Sequence, residues 1–248
     1  MFFADIEAFE PYKHAITKVF IADGDPLVLS TKRLLRILEK IKDTFPNLKR
    51  VSTYASPNNL NRKSAEELKD LYQAGLTLLY VGIESGDDQV LEYIKKGETH
   101  QSTIEGINKG IKAGMDCSVM IINGVGGKYF SKQHAIQSAK VLNETQPKFA
   151  STLVLTTHRG FDHFKNRLSN KISVEFEQLN QLELFTEMKL FMENLSLNNT
   201  IFRSDHASNI LVLKGVLGKD KQAFLNQIDL AINHPSIADL RSPVYNRY

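Results

Sequence analysis

The polar residues best suited to ligand binding occur in short clusters, and each cluster directly follows an apolar run that predicts a β-strand. The clusters are Asp23-Gly24-Asp25, Ser56, Glu84-Ser85-Gly86, Asn123-Gly124 and Thr156-Thr157. A carboxylate in such a place could act as a general base, and a glycine-rich turn could let a ligand approach the backbone. Each cluster alone also fits a plain structural role, because acidic residues favour turns and helix starts.

The sequence contains a single cysteine, Cys117, which lies in an apolar run. One thiol cannot form an internal disulfide, a cysteine-rich zinc site or a self-contained iron–sulfur cluster. His158 and His163 lack the helical spacing of zinc-binding pairs, so we expect no metal site and a Cys117 that packs as a small apolar residue. His206 and Asn209 could line the substrate side of a binding mouth.

The composition is that of an ordinary globular protein, with 248 residues, of which 42% are hydrophobic. Thirty-one basic and 28 acidic residues give a net charge of +3, which is too small to argue for nucleic acid binding. The start lacks the basic and apolar regions of a signal peptide, and no stretch of about 18 uncharged apolar residues is present. We expect a cytoplasmic protein.

Predicted strands and helices alternate through the first part of the chain. The strands cover residues 18–22, 50–54, 76–81, 117–122 and 151–155. Between them lie a helix capped by Ser30, a helix with a capping box of Ser64 and Glu67, and helices over 88–96, 102–112 and 131–143. This alternation predicts an α/β fold with a parallel sheet, in which ligands bind at the carboxyl ends of the strands.

After residue 157 the pattern becomes less regular. It predicts a helix over 174–194, strands over 199–203 and 211–214, and a closing helix over 219–232. One face of the long helix is apolar and should face the core; it carries Leu182, Phe185, Met188, Met192 and Leu195. The regular alternation thus covers 1–157, and an α/β extension over 158–248 follows without a linker that marks a domain boundary.

The joint order of the motifs resembles the radical S-adenosylmethionine superfamily, in the branch with the Elp3/MiaB/NifB-type core. The motifs are Asp23-Gly24-Asp25-Pro26, Tyr54-Ala55-Ser56-Pro57, Tyr80-Val81-Gly82-Ile83-Glu84-Ser85-Gly86, Lys96-Gly97-Glu98-Thr99 and Ile121-Ile122-Asn123-Gly124-Val125-Gly126-Gly127. The segment 202–209 is similar to a pattern in uncharacterised members of that group. The resemblance implies a partial (β/α)6 TIM-like barrel, here without its first strand. It assigns the incomplete barrel core to 1–157 and makes 158–248 an extension that packs on the barrel and is not an independent domain.

The resemblance also implies S-adenosylmethionine and a [4Fe–4S] cluster as the cofactors of the intact family. It places cofactor contacts at eight positions, which are Asp23, Gly24, Asp25, Ser56, Glu84, Ser85, Asn123 and Gly124. Asp23 and Asp25 stand where the family has the first Gly and the Glu of a Gly-Gly-Glu motif that holds the amino group of the cofactor. The resemblance identifies neither the substrate nor the catalytic residues.

The family holds its cluster on a Cys-x3-Cys-x2-Cys loop after the first strand, and this sequence contains no such loop. Residues 4–15 predict the helix that would follow it. We therefore expect an N-terminal loss, by gene decay, a split gene, a misassigned start or a shortened clone. We also expect a chain that cannot by itself support the cluster or make radicals. The strand edge at Val19–Ala22 would then be open to the N-terminal residues, a partner or a second copy.

Two other functions stay open at this stage. The chain could be a non-catalytic binding or regulatory module that keeps a nucleoside pocket without the metal. It could also be an unrelated barrel enzyme, an isomerase or aldolase, with Glu84 or Asp25 as its base.

Overall fold

The computed structural model describes residues 2–157 and 159–242. Their seven strands form one sheet in which spatial order equals chain order. The strands are β1 (Lys18–Ile21), β2 (Arg50–Ala55), β3 (Leu76–Glu84), β4 (Asp116–Asn123), β5 (Phe149–Val154), β6 (Ile201–Arg203) and β7 (Lys214–Val216). The pairs β1–β2, β2–β3 and β5–β6 are parallel, and β6–β7 is antiparallel. The sheet confirms the predicted α/β class, and within the described residues no β7–β1 pair closes it.

Ten helices accompany the described strands. They are α1 (Phe2–Ala8), α2 (Thr31–Thr44), α3 (Pro57–Arg62), α4 (Ala65–Gln73), α5 (Asp88–Tyr93), α6 (His100–Lys112), α7 (Gly127–Thr145), α8 (Phe161–Lys165), α9 (Gln181–Asn194) and α10 (Lys221–Asn233). Between residues 2 and 157 and between 159 and 242, none of these helices is long and apolar enough to cross a membrane.

The chain divides into two compact units. Unit 1 contains residues 1–82 and 105–118, and unit 2 contains residues 83–104 and 119–248. Unit 1 thus carries β1, β2 and α1–α4, whereas unit 2 carries α5, α7–α10 and β5–β7. The division into 1–157 and 158–248 that the sequence suggests stays a prediction.

Local capping signals fix several helix ends in unit 1. The predicted capping box of α4 is present, because the Ser64 hydroxyl accepts the Glu67 N–H and the Glu67 carboxylate accepts the Ser64 N–H. Gly75 follows with a φ of 110°, which is the left-handed geometry that ends helices. Ser30 occupies the N-cap position of α2 without a side-chain hydrogen bond.

Other boundaries differ from the prediction, and each has a local cause. The first helix ends at Ala8, and a 3-10 turn with Pro11 follows, because proline cannot donate the next helical bond. Helix α6 begins at His100, two residues earlier than expected, and Thr99 and Ser102 exchange side-chain-to-backbone hydrogen bonds there.

The long helix of unit 2 is shorter than predicted. Helix α9 begins at Gln181 instead of residue 174, because Asn180 and Glu183 form a capping box. Leu182 is 52% exposed, so its predicted place in the core-facing stripe is wrong, whereas Phe185 and Met188 are buried as expected. The last strand pairs at Lys214–Val216 instead of 211–214.

Strand β1 occupies the predicted edge of the sheet. It is the first strand in the order, and its register places Lys18–Ile21 beside Arg50–Thr53 of β2. Hydroxyl groups of β2 reinforce this pair, since Ser52 donates to the Val19 carbonyl (3.3 Å) and Thr53 to the Ile21 carbonyl (3.0 Å). Helix α1 packs against α2.

We predict that the backbone amides of residues 19–22 exchange with solvent faster than those of residues 78–81 in a dilute monomer, because an edge strand opens more readily. Hydrogen exchange read by mass spectrometry or NMR measures both segments in one sample. Equal protection of the two segments in the dilute monomer would contradict this. Protection of 19–22 that rises with protein concentration would identify a second copy as the pairing partner.

Candidate functional site

In unit 1, the predicted site residues Asp25 and Ser56 lie together. Both Asp25 carboxylate oxygens accept hydrogen bonds: Oδ1 from the Leu27 N–H (2.9 Å), and Oδ2 from the Ser56 N–H and the Asn59 amide (both 2.7 Å). The Ser56 hydroxyl caps α3 by accepting the Asn59 N–H (3.2 Å). Asp25 therefore joins the turn after β1 to the helix start after β2.

The two residues before Asp25 form an exposed left-handed turn. Asp23 has a φ of 67° and Gly24 a φ of 90°. Glycine adopts this geometry at little cost, and aspartate tolerates it better than most side chains. The turn presents its backbone to solvent, and the proposed contacts of these residues with a cofactor stay predictions.

In unit 2, Glu84 combines backbone strain with an ion pair. It is the last residue of β3 and has a φ of 63°, which is uncommon for a non-glycine residue. Its carboxylate Oε1 lies 2.7 Å from the Lys96 Nζ, and each side chain is 23% exposed. The carboxylate is thus held in a fixed direction while it still reaches solvent.

The next residue, Ser85, is buried and anchors the turn from inside. Its hydroxyl accepts the Asp87 N–H (3.0 Å) and lies 2.8 Å from the His134 Nδ1 of α7. The following Gly86 N–H donates to the Ser138 hydroxyl (2.9 Å), also on α7. These bonds fasten the end of β3 to one helix.

A buried carboxyl group on α9 anchors the end of β4. Glu187 accepts the Gly124 N–H at Oε1 (2.7 Å) and the Ser131 hydroxyl at Oε2 (2.5 Å). The His134 Nε2 lies 3.9 Å from Oε1, and both side chains are 1% exposed. The ends of β3 and β4 in unit 2 are therefore held by one polar network, which we call the His134–Glu187 network and which comprises Ser85, Ser131, His134, Ser138 and Glu187.

Burial disfavours the charged form of both titratable groups in this network. It lowers the pKa of His134 to about 4, against the opposing effect of a hydrogen bond with the Ile122 backbone. It raises the pKa of Glu187 to about 7, although the hydrogen bonds from Ser131 and Gly124 favour the ionised form. Below about pH 7, a neutral imidazole then lies beside a protonated carboxyl group, which avoids the cost of burying two charges.

The predicted residues Asn123 and Gly124 lie on this anchored turn. Asn123 is buried, with its amide nitrogen 3.9 Å from the Met188 sulfur and its carbonyl accepting the Leu155 N–H (2.9 Å). Gly124 has a φ of 80°, and a Cβ there would lie 3.0 Å from the Leu184 side chain. A larger residue at 124 would therefore disturb both the backbone and the packing of α9.

The sequence did not reveal the residues that hold these turns. Ser131, His134 and Ser138 recur at positions that share one face of α7, and a buried polar stripe on a helix is the signal that could have found them. Glu187 is 63 residues from Gly124 in the chain, and no local pattern pairs them. Lys96 belongs to the Lys96-Gly97-Glu98-Thr99 motif, but nothing in the motif indicates that it pairs with Glu84.

The cysteine does not suit an iron–sulfur cluster. Cys117 is fully buried in β4, and burial, with a smaller effect of Asp116, raises the pKa of its thiol to about 12. Among the residues that the structure describes, no group of three His, Cys, Asp or Glu side chains could hold a metal ion. His163 and His206 are exposed, and His158 lies outside the described residues. The residues present in this chain therefore do not fit a [4Fe–4S] cluster.

We predict that Glu187→Gln removes a pH dependence of stability. A carboxyl group whose pKa is raised by folding stabilises the fold at low pH, and this contribution is lost as pH rises from about 4.5 to about 7. From about pH 5 to about pH 8, the wild-type chain should lose about 2 kcal/mol of unfolding free energy relative to the variant. Urea denaturation at both pH values measures the difference. The folded His134, with a pKa of about 4, is largely neutral at both pH values, and its titration in the unfolded state is common to both proteins. If the unfolding free energies of wild type and Glu187→Gln differ by the same amount at both pH values, folding does not raise the pKa of Glu187.

Comparison with proteins of known sequence gives two relatives. The heme chaperone HemW of Bacillus subtilis is 25% identical over 138 residues, which are 55% of this chain and 36% of that protein. An uncharacterized methyltransferase of Pyrococcus horikoshii, PH0819, is 24% identical over 161 residues, which are 65% of this chain and 34% of that protein. The chain thus spans about a third of the length of the curated relatives it matches.

Solved structures share the fold. The coproporphyrinogen III oxidase HemN of Escherichia coli, a radical SAM enzyme, superposes with a TM-score of 0.61 at 13% identity, over 77% of this chain and 44% of that one. The Elp3 of the archaeon Methanocaldococcus infernus, with an N-terminal deletion, superposes with a TM-score of 0.58 at 15% identity, over 92% of this chain and 58% of that one. At these identities the likeness supports the fold alone.

The sequence model of one family covers most of the strands and helices described above. The model of the radical SAM superfamily matches residues 4–141, which is more than half of the 248 residues. S-adenosylmethionine and a [4Fe–4S] cluster are features of that family. The chain therefore belongs to the radical SAM superfamily.

Proposed function

We propose that this chain binds S-adenosylmethionine and does not by itself convert it to a radical. The observation that carries the binding part is Glu84 at the end of β3, where the backbone is strained and the carboxylate is partly exposed. Strained backbone persists where the surroundings enforce it, and it concentrates at functional sites. In a radical SAM chain, such a carboxylate is suited to accept hydrogen bonds from the hydroxyl groups of a ribose.

Lys96 supports this role by its geometry. An ammonium 2.7 Å from Glu84 Oε1 fixes one oxygen and leaves the other lone pairs of the carboxylate available. The side chains are 23% exposed, so a ligand can reach them without unfolding the turn. Lys96 is therefore proposed as a positioning residue for Glu84.

The His134–Glu187 network supports the proposal from inside unit 2. It immobilises the turns that carry Ser85 and Gly124 before any ligand arrives. Prior immobilisation reduces the entropy that binding must remove, which favours affinity. In this proposal Ser85 and Glu187 act by holding the backbone and do not contact the ligand.

The second part of the proposal concerns chemistry. The radical reaction of the family starts from a cluster held by three thiolates, and the one thiol of this chain is buried and protonated. A separate base mechanism is not favoured at the two candidate carboxylates. Asp25 already accepts three hydrogen bonds, and Glu84 is ion-paired with Lys96.

Titration calorimetry with S-adenosylmethionine in air tests the binding. We predict a dissociation constant of about a millimolar or tighter for the wild-type chain, and about tenfold weaker binding for Glu84→Gln, because charge-assisted hydrogen bonds are lost. Lys96→Met should weaken binding to a similar degree. Glu39→Gln, on the exposed face of α2, is the matched control and should bind as wild type does. Absence of binding by the wild-type chain, or equal binding by all four proteins, would contradict the proposed S-adenosylmethionine site.

The absence of radical chemistry needs a separate experiment. The chain is incubated anaerobically with iron, sulfide, a reductant and S-adenosylmethionine, and 5′-deoxyadenosine is measured by chromatography. We predict none above the protein-free blank, with a reconstituted radical SAM enzyme as the positive control. Formation of 5′-deoxyadenosine by this chain alone would overturn the second part and leave the binding claim standing.

A further inference from the structure

The loop between β6 and β7 is rigid at its base and exposed at its tip. We call residues 204–213 the β6–β7 loop. Ser204 is fully buried at its start, where its hydroxyl donates to the Leu211 carbonyl (3.0 Å) and accepts the Leu213 N–H (2.7 Å). Asp205 and His206 follow and are exposed. Buried hydrogen bonds thus close the loop on itself and present its polar tip to solvent.

The same loop is fastened to the carboxyl end of β5. The Ser208 hydroxyl accepts the Val154 N–H (3.0 Å), and the buried Asn209 amide donates to the Thr152 carbonyl (2.8 Å). The Leu155 N–H, one residue after Val154, donates to the Asn123 carbonyl at the end of β4. The loop is therefore hydrogen-bonded to a segment of unit 2 that itself contacts the end of β4.

Three exposed cationic residues lie at or near the start of this loop, and the Arg203 guanidinium donates to the Phe202 carbonyl (2.8 Å). Arg203 lies directly opposite Lys214 in the antiparallel β6–β7 register, and both are exposed. The Lys214 Nζ is 3.3 Å from the Asp205 carboxylate, and Arg241 donates to the Asp205 carbonyl (3.0 Å). Like charges directly opposite each other destabilise a strand pair, and Asp205 offsets only part of this charge. An added anion would offset the rest.

His206 contributes a donor whose direction is fixed. The Ser208 N–H donates to His206 Nδ1 (3.2 Å), and the Ser208 hydroxyl lies 2.8 Å from the same nitrogen. A ring nitrogen that accepts cannot carry the proton, so the neutral imidazole carries it on Nε2. The exposed tip therefore offers an oriented N–H on the residue that follows Asp205.

We propose that the β6–β7 loop binds a phosphate or carboxylate group of a small-molecule ligand, through Arg203, Lys214, Arg241 and the Nε2–H of His206. The charge of the cluster selects an anion, and the planar guanidinium groups suit its oxygen atoms. The inference goes beyond the proposed function, since the β6–β7 loop contains none of the residues assigned to the S-adenosylmethionine site. Anion binding itself does not depend on S-adenosylmethionine.

Thermal unfolding of the full chain tests the site, with sodium pyrophosphate and sodium malonate as probes and sodium chloride at matched ionic strength as the reference. A ligand that binds the folded state raises the melting temperature. We expect a rise with at least one probe above the chloride reference. In Arg203→Gln/Lys214→Gln, the dissociation constant derived from the shift should weaken about tenfold.

The double variant Lys132→Gln/Lys140→Gln is the matched control, since it removes two exposed lysines from α7 of the same unit. It should respond to the probes as wild type does. Circular dichroism without probe establishes that each variant is folded, and Arg241→Gln is a second test should the first variant not fold. No rise above chloride in the wild type, or equal rises in site and control variants, would overturn the proposal. No S-adenosylmethionine is present, so this outcome is independent of the cofactor measurement.

Discussion

A carboxyl group shielded from water holds the end of β4 in unit 2. Glu187 accepts the Gly124 N–H and the Ser131 hydroxyl, and the neutral His134 beside it reaches back to Ser85 at the end of β3. Removing one member would leave buried polar groups without partners, which costs more than the hydrogen bonds themselves contribute. The positions of the polar groups at these two strand ends therefore depend on one network, and its charge state depends on burial.

The turns at these two strand ends combine glycine with polar residues because different residues fix the backbone and face the solvent. Gly124 can take a left-handed conformation and turn its N–H toward Glu187. Glu84 takes a similar conformation without being glycine, and its carboxylate is held by Lys96. The interior groups fix the backbone, and the carboxylate that reaches solvent remains available for a ligand.

Short-range signals made much of the fold predictable from the sequence. The Ser64–Glu67 capping box marked the start of α4, and the alternation of apolar runs with helical patterns predicted the parallel sheet. Residues that follow adjacent parallel strands were expected to meet, as Asp25 and Ser56 do. The prediction that Leu182 faces the core is wrong because helical spacing alone does not show where a helix begins. The capping box of Asn180 and Glu183 determines where α9 begins. The partnership of Glu187 with Gly124 joins distant parts of the chain and becomes visible only in the folded structure.

Membership in the radical SAM superfamily leads us to expect a cofactor site in this chain. The single buried thiol, in contrast, argues against an iron–sulfur cluster. Both hold if this chain binds the cofactor without supporting cluster chemistry. Equilibrium dialysis of the chain against labelled S-adenosylmethionine, with a chelator that removes iron, tests this separation most directly. We expect about one molecule of S-adenosylmethionine to be retained per chain at saturation, since ligand sites are few per protein, and less to be retained by Glu84→Gln at the same concentration. No retention by the wild-type chain, or retention only after iron and sulfide are added, would contradict it.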